Sequence, residues 1–307
     1  MKQEAAKARE LGCEALYLDP GWDFPGCSFL WDSPRLGSAE SFLALMRGQY
    51  GLKVSLWCGL GGVPPTWADP ASCPVEAQVL TKEGKRNQIL CFSNPAFLDT
   101  RTTNLVRLAR QGFAFFMFDS TQYPGPCYDA THGHQVPSTR DEHANSIYEL
   151  ARRIKRECPG VLIESHDPVT GPGSGNYSPT YVNFAKPQSF DCLWGHEFMW
   201  NSMDDLLSGR AASLYYYNLA YSIPIYLHVS LKPDNTNALV FWWYASTCRH
   251  LGMGGKHADP AVWAAHQRAM QTYLPLKAFY ARGAFYGLDE TLHAHTLADR
   301  AESVLNA

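Results

Sequence analysis

Helix hands over to strand at a glycine four times along residues 1–167 of this chain. Residues 2–11 are rich in Ala, Glu, Lys and Arg, stop at Gly12, and give way to the apolar run Ala15-Leu16-Tyr17-Leu18-Asp19. Residues 38–49 stop at Gly51 before the strand-like 53–59, and residues 96–110 stop at Gly112 before 114–119. Residues 141–156 lead through Gly160 into 161–167. Glycine suits the left-handed residue that ends a helix. Short β-rich runs alternating with helices are βα units, and such units line up as a parallel sheet.

Beyond residue 167 the pattern loosens. Residues 189–197 and 223–231 read as strands around a helical stretch at 203–218, and 239–247 reads as a further strand or a buried helix, for six or seven strands in all. A chain of 307 residues suits two average domains or one α/β barrel of roughly 250 residues with additions. The expected architecture is a (β/α)8 TIM-type barrel over 1–283. Because the chain opens on a helix, the first barrel strand is expected upstream of Met1. Residues 285–297 alternate in hairpin fashion, so 284–307 is expected to begin a C-terminal β element.

Composition narrows the function classes. With 46% hydrophobic and 18% charged residues, the chain is an ordinary globular sequence, not a disordered, coiled-coil or collagenous one. Lys+Arg 26 against Asp+Glu 29, with no dense basic run, gives no footprint for nucleic acid or an anionic membrane. Apolar runs such as 238–245 are far shorter than the roughly 20 residues of a membrane span. Nine cysteines, at 13, 27, 58, 73, 91, 127, 158, 192 and 248, form no CxxC pair and read neither as a disulfide framework nor as a zinc site. They modestly favour a reducing, cytoplasmic setting, with an export signal upstream of Met1 left open; oligomeric state is not legible. The pair His132-Gly-His134 invites a metal reading, but it lies mid-loop and not at a first strand's end, so no metal and no cofactor are expected.

Polar groups cluster at the predicted strand ends: Asp19-Pro-Gly-Trp22-Asp23, Trp57-Cys-Gly, Asp119-Ser-Thr, Glu164-Ser-His166-Asp167, and Trp194-Gly-His-Glu197. A parallel barrel brings all these ends to one face. Several carboxylates beside a tryptophan wall suit glycoside hydrolysis, which needs two carboxyl groups about the bond. The pair comes from Asp19, Asp119, Glu164, Asp167, Asp191 and Glu197. Each has a plainer alternative. An Asp after a strand often caps a loop, Glu164 can serve a buried cation such as Lys53, and tryptophans build cores as well as sugar platforms.

These residues resemble the α-galactosidase-like clan of retaining glycoside hydrolases, family 36 in particular. Leu18-Asp19-Pro20-Gly21-Trp22 resembles its Asp-Asp-Gly-Trp strand end, and Gly51-Leu52-Lys53 to Trp57 resembles the strand that follows. Phe118-Asp119 and Val161 to Ser165 match the nucleophile strand and the Val-Leu-Ile-Glu-Ser strand. The resemblance implies a carbohydrate substrate, Asp119 as nucleophile and Glu197 as acid/base; on residue type alone, Asp191 and Asp204 are alternative acids. The resemblance also implies that Asp19, Trp22, Trp57, Glu164, His166, Asp167 and Trp194 line the sugar. Pro20, Met117 and His166-Asp167-Pro168 depart from the family's Asp, Lys and Cys/Ser-Gly-Gly. The rival readings are a carbohydrate-binding barrel without catalysis and a metal-dependent hydrolase.

Overall fold

The computed structural model describes residues 1–61, 72–166, 189–191, 226–232, 234–247, 250–289 and 292–307. The chain divides into two compact units, one built mainly from Cys13–Asn176 and the other mainly from Gln188–Ala307.

The first unit is a run of βα units. Helix α1 (Lys2–Leu11) precedes β1 (Ala15–Leu18), and α2 (Ser33–Leu36) and α3 (Ala39–Leu45) lead to β2 (Lys53–Gly59). A hairpin of β3 (Gln78–Leu80) and β4 (Arg86–Leu90) follows, then α4 (Pro95–Gln111), β5 (Phe115–Asp119), α5 (Arg140–Glu157) and β6 (Leu162–His166). The strands β1, β2, β5 and β6 pair in that order, all parallel. The helices begin and end where the sequence signals them. Ser38 caps α3 by accepting from the Ser41 amide at 3.1 Å, and Thr139 and Glu142 form a reciprocal capping box at α5. Gly51 and Gly112 take the left-handed φ, 70° and 113°, that closes the preceding helical turns.

Side-chain alternation sorts the sheet into two faces. Leu16, Leu18, Val54, Leu56, Cys58, Phe116 and Phe118 join one buried cluster with helix residues such as Phe42, Leu105 and Ile147. The intervening positions, Tyr17, Ser55, Trp57, Met117 and Asp119, carry the polar and aromatic groups. The β3–β4 hairpin was not anticipated from the sequence. Its first strand has only three residues, its second is largely polar, and Gln88 breaks the alternation with a φ of 63°.

The second unit contains β7 (Ser189–Asp191), β8 (Tyr226–Ser230), α6 (Leu239–Thr247), β9 (His250–Gly254) and α7 (Pro260–Arg282). Strands β8 and β9 are parallel, so β8-α6-β9 is one more crossover unit. The apolar stretch 239–247, open between strand and helix in the sequence, is a helix. Strands β10 (Ala284–Gly287), β11 (His293–Thr296) and β12 (Ser303–Asn306) form an antiparallel meander at the end of the chain. No helix among the described residues is long and apolar enough to cross a membrane.

Asp234 ties this unit together. Its Oδ1 accepts from the amides of Asn235 and Val240 at 2.7 and 3.1 Å, at the start of α6, while Oδ2 meets His266 Nε2 of α7 at 2.7 Å. Burial alone would raise this carboxyl; the hydrogen bonds from His266 and the two amides outweigh it and hold it below its ordinary range. Asp234→Ala is expected to lower stability by about 3–5 kcal/mol, since it strips a buried partner from His266 and a cap from α6. Urea unfolding followed by tryptophan fluorescence checks this, with the exposed Asp299→Ala expected to change stability by less than about 0.5 kcal/mol.

Candidate active site

The paired register brings the predicted strand-end residues together. Gly59 pairs with Asp119, Trp57 with Met117, Met117 with Glu164, and Phe118 with Ser165. Asp119 is therefore the last residue of β5, level with the end of β2, and Glu164 stands in the row of Trp57 and Met117. Asp19 follows directly on β1. Desolvation first, and the negative charge of Asp119 second, raise the Asp19 carboxyl above its usual range, although the residue as a whole is exposed. The two carboxyl groups thus lie close enough to repel one another.

Both oxygens of Asp119 are held. Trp57 Nε1 donates to Oδ2 at 2.9 Å, and the Ser120 amide donates to Oδ1. Ser120 reaches that position through a left-handed backbone, φ 55°, which is uncommon for a residue other than glycine and marks a turn held in place by its surroundings. The next residue, Thr121, offers its carbonyl to Nε2 of His143 on α5 at 2.7 Å. His143 also stacks on Phe92, ring centroids 4.8 Å apart. Burial lowers its pKa to about 4, so at neutral pH the ring is uncharged and donates its one N–H to Thr121.

Behind Trp57 stands Trp22, whose indole N–H donates to the Trp57 carbonyl at 2.7 Å. Trp22 was expected to pack against a sugar ring. It is only 2% exposed and lies in the apolar cluster, stacked between Phe29 and Trp31, so it supports Trp57 from the core. Trp57 itself is 6% exposed, with its polar edge on Asp119. Helix α4 holds the segment after β1. Arg101 donates to the Cys27 carbonyl, Asn104 to Ser28 at 3.1 Å and Arg107 to Phe29 at 3.2 Å. Arg101 is buried over the Phe29 ring at 4.5 Å, and desolvation pushes its guanidinium down to about 10.

Two glycines fit this packing. A Cβ on Gly59 would come within 2.5 Å of the Trp57 ring, and one on Gly61 within 2.5 Å of the Ser120 carbonyl. The sequence signal, Gly59-Leu60-Gly61 after a strand, was visible, but its meaning was not. Met117 is buried and accepts a hydrogen bond from the Tyr17 hydroxyl at 3.1 Å. His166 closes β6 and Asp191 closes β7. Asp167, Trp194, Glu197 and Asp204 lie outside the described residues.

Solved structures share this architecture. The α-galactosidase AgaB of Geobacillus stearothermophilus, from glycoside hydrolase family 36, superposes with a TM-score of 0.66 at 14% identity, over 99% of this chain and 43% of that one. The fold is that of the family 36 α-galactosidases. An α-galactosidase from Lactobacillus brevis gives a TM-score of 0.64 at 16% identity, over 99% and 43% of the two chains. The chain spans less than half the length of these family 36 structures. An α-amylase of Geobacillus thermoleovorans, complexed with acarbose, follows with a TM-score of 0.57 at 12% identity, over 97% and 77%. No protein-family model and no curated protein matches the sequence.

Two expectations follow for the family 36 fold in this chain. Gly59→Ala should cost about 1–3 kcal/mol through overpacking against Trp57, whereas Gly48→Ala, with open space around its Cβ, should be neutral or stabilising in thermal unfolding. Between the lowered pKa of His143 in the fold, about 4, and its ordinary value of 6.5, the unfolded chain binds more protons than the folded one. Stability therefore falls as pH drops from about 6.5 toward 4, by up to about 3 kcal/mol from this residue. His293, also lowered to about 4 by burial, adds to the same slope. Urea midpoints across that pH range should show a shallower fall in His143→Phe.

Proposed function

We propose that this protein is a retaining exo-glycosidase acting on an α-linked sugar, most simply an α-galactoside, on a (β/α)8 barrel over 1–283 that passes into a C-terminal β element at 284–307. The observation that carries the reading is Asp119: a carboxylate ending a parallel strand and oriented through both oxygens, with a second carboxylate, Asp19, directly after β1 and within reach of its charge. Nucleophilic attack on an anomeric carbon needs a carboxylate fixed in one orientation, which the Trp57 indole and the Ser120 amide supply. The similarity in fold to α-galactosidases, including AgaA variants of Geobacillus stearothermophilus complexed with stachyose and raffinose, supports the substrate class.

In this mechanism Asp119 attacks the anomeric carbon while protonated Glu197 gives its proton to the departing glycosidic oxygen. The glycosyl–Asp119 ester is then opened by water, whose proton returns to Glu197 and whose oxygen bonds to the anomeric carbon. Two inversions leave the product in the configuration of the substrate. Asp19, Glu164, His166 and Asp167, with Trp194, are assigned to the sugar hydroxyls and ring, and Trp57 presents its edge beside the nucleophile. Where the family resemblance places a Lys, the Met117 thioether accepts from Tyr17. A cationic donor is thereby replaced by a soft acceptor, so the pattern of hydroxyl recognition differs from that of the family.

An aryl α-galactoside panel tests this reading. Wild-type enzyme is expected to release the α-anomer first, followed by proton NMR before mutarotation. Asp119→Gly is expected to lose turnover, and added azide to restore release of the aryl group with formation of the β-glycosyl azide. A folded Asp119→Gly protein that retains turnover overturns the assignment of the nucleophile, and first release of the β-anomer overturns retention.

A further inference from the structure

Apart from the strand-end carboxylates, the first unit gathers four metal-ligating side chains from distant parts of the sequence. Cys91, directly after β4, and Cys127, His132 and His134, from the loop after β5, each place one donor atom within 4.8 Å of the other three. We infer that Cys91, Cys127, His132 and His134 form a structural zinc site that pins the β3–β4 hairpin to the loop following Asp119.

The donor set comes first. Two thiolates and two imidazoles are a borderline-soft set that suits tetrahedral zinc, and four protein ligands leave no position open for a substrate or a water. The site is therefore structural and does not revive a metallohydrolase mechanism. Its spacing is already near that of a loaded site. Cys127 Sγ and His132 Nδ1 stand 3.5 Å apart. Zinc–sulfur and zinc–nitrogen bonds of about 2.3 and 2.1 Å at a tetrahedral angle put such a pair about 3.6 Å apart.

The surroundings supply what bound ligands need. Nε2 of His132 meets the Glu76 carbonyl at 2.7 Å and has the Asp129 carboxylate at 3.4 Å. A hydrogen bond from the far ring nitrogen to a carbonyl fixes the tautomer that leaves Nδ1 free to bind metal. His134 directs Nδ1 to the Gln135 carbonyl at 2.7 Å, and its Nε2 is buried with no hydrogen-bond partner, as expected of a donor reserved for an ion. The sulfurs are served by amides. Leu80 N donates to Cys127 Sγ at 3.4 Å, and the Ser93 and Asn94 amides reach Cys91.

The local backbone is built for this convergence. Gly133, with φ 73°, turns the chain between the two histidines, whose rings stand 5.5 Å apart at 81°. Tyr128 N donates to the Leu80 carbonyl at 2.8 Å, and Asp129, paired with Arg86 of β4, caps the turn that carries His132. Val79 packs on the two cysteines and keeps them from water. The sequence has no short metal motif at Cys91 and Cys127, because it is a hairpin and a loop, distant along the chain, that bring them together.

Metal analysis of the full chain, purified without chelator, is expected to find about one zinc per chain. Cys127→Ser and His132→Ala should each lose it, while Cys13→Ser keeps it. After chelation, cobalt(II) should give the thiolate-to-metal charge-transfer bands of a tetrahedral site in wild type and not in Cys127→Ser. Should those variants fail to fold, alkylation of wild type decides: zinc must protect Cys91 and Cys127, mapped by mass spectrometry, and leave Cys13 as reactive as before. Folded wild-type protein that binds neither zinc nor cobalt, equal alkylation of Cys91 and Cys127 with and without zinc, or a Cys91–Cys127 disulfide in the native protein overturns the inference. These readouts do not involve glycoside turnover, so they stand or fall apart from the proposed activity.

Discussion

The register of β1, β2, β5 and β6 governs what meets at their ends. In parallel strands every second residue shares a face, and partner-by-partner pairing carries that parity across the sheet. Leu16, Leu18, Val54, Leu56, Phe116 and Phe118 all face the helices, and this commits the alternate positions to the opposite side. A slip of one residue in β5 would send Phe118 to the polar face and Asp119 into the apolar cluster. Hydrophobic burial on one face therefore chooses the carboxylate on the other.

From Asp119 the restraints run outward in two directions. One passes through the Trp57 indole to the Trp57 carbonyl and the Trp22 indole in the core. The other passes through the Ser120 amide and the Thr121 carbonyl to the neutral ring of His143 on α5. Each group along both routes is a polar atom in a part-buried or buried place with its partner supplied, and leaving one unpaired costs about 1–3 kcal/mol. Helix α4 secures the segment after β1 through a row of three side chains on its surface.

Much of this was legible in the residues. Gly51 and Gly112 marked helix ends because few other residues take a left-handed φ without strain, and the β-rich runs behind them became β2 and β5. Asp119 stood out as the polar end of an apolar strand. The hairpin did not stand out, since β3 has three residues and β4 is largely polar. Residue type alone does not tell a tryptophan in the core from one at a binding surface; Trp22 and Trp57 are both buried, and the partners of their indole N–H groups, the Trp57 carbonyl and the Asp119 carboxylate, separate their roles. The convergence of Cys91 with Cys127 and the two histidines depends on a loop lying across a hairpin, a tertiary contact without a local pattern.

The two donors on Asp119 bear on how that position tolerates change. A carboxylate presents an acceptor to each of them. An amide of the same shape presents one acceptor and one donor, so whichever way it turns, its NH2 faces either the Trp57 indole N–H or the Ser120 N–H. An asparagine there is no silent isostere: it must rotate away from one donor and leave it without an acceptor. The two N–H groups thus select for a carboxylate at this strand end even before any substrate arrives.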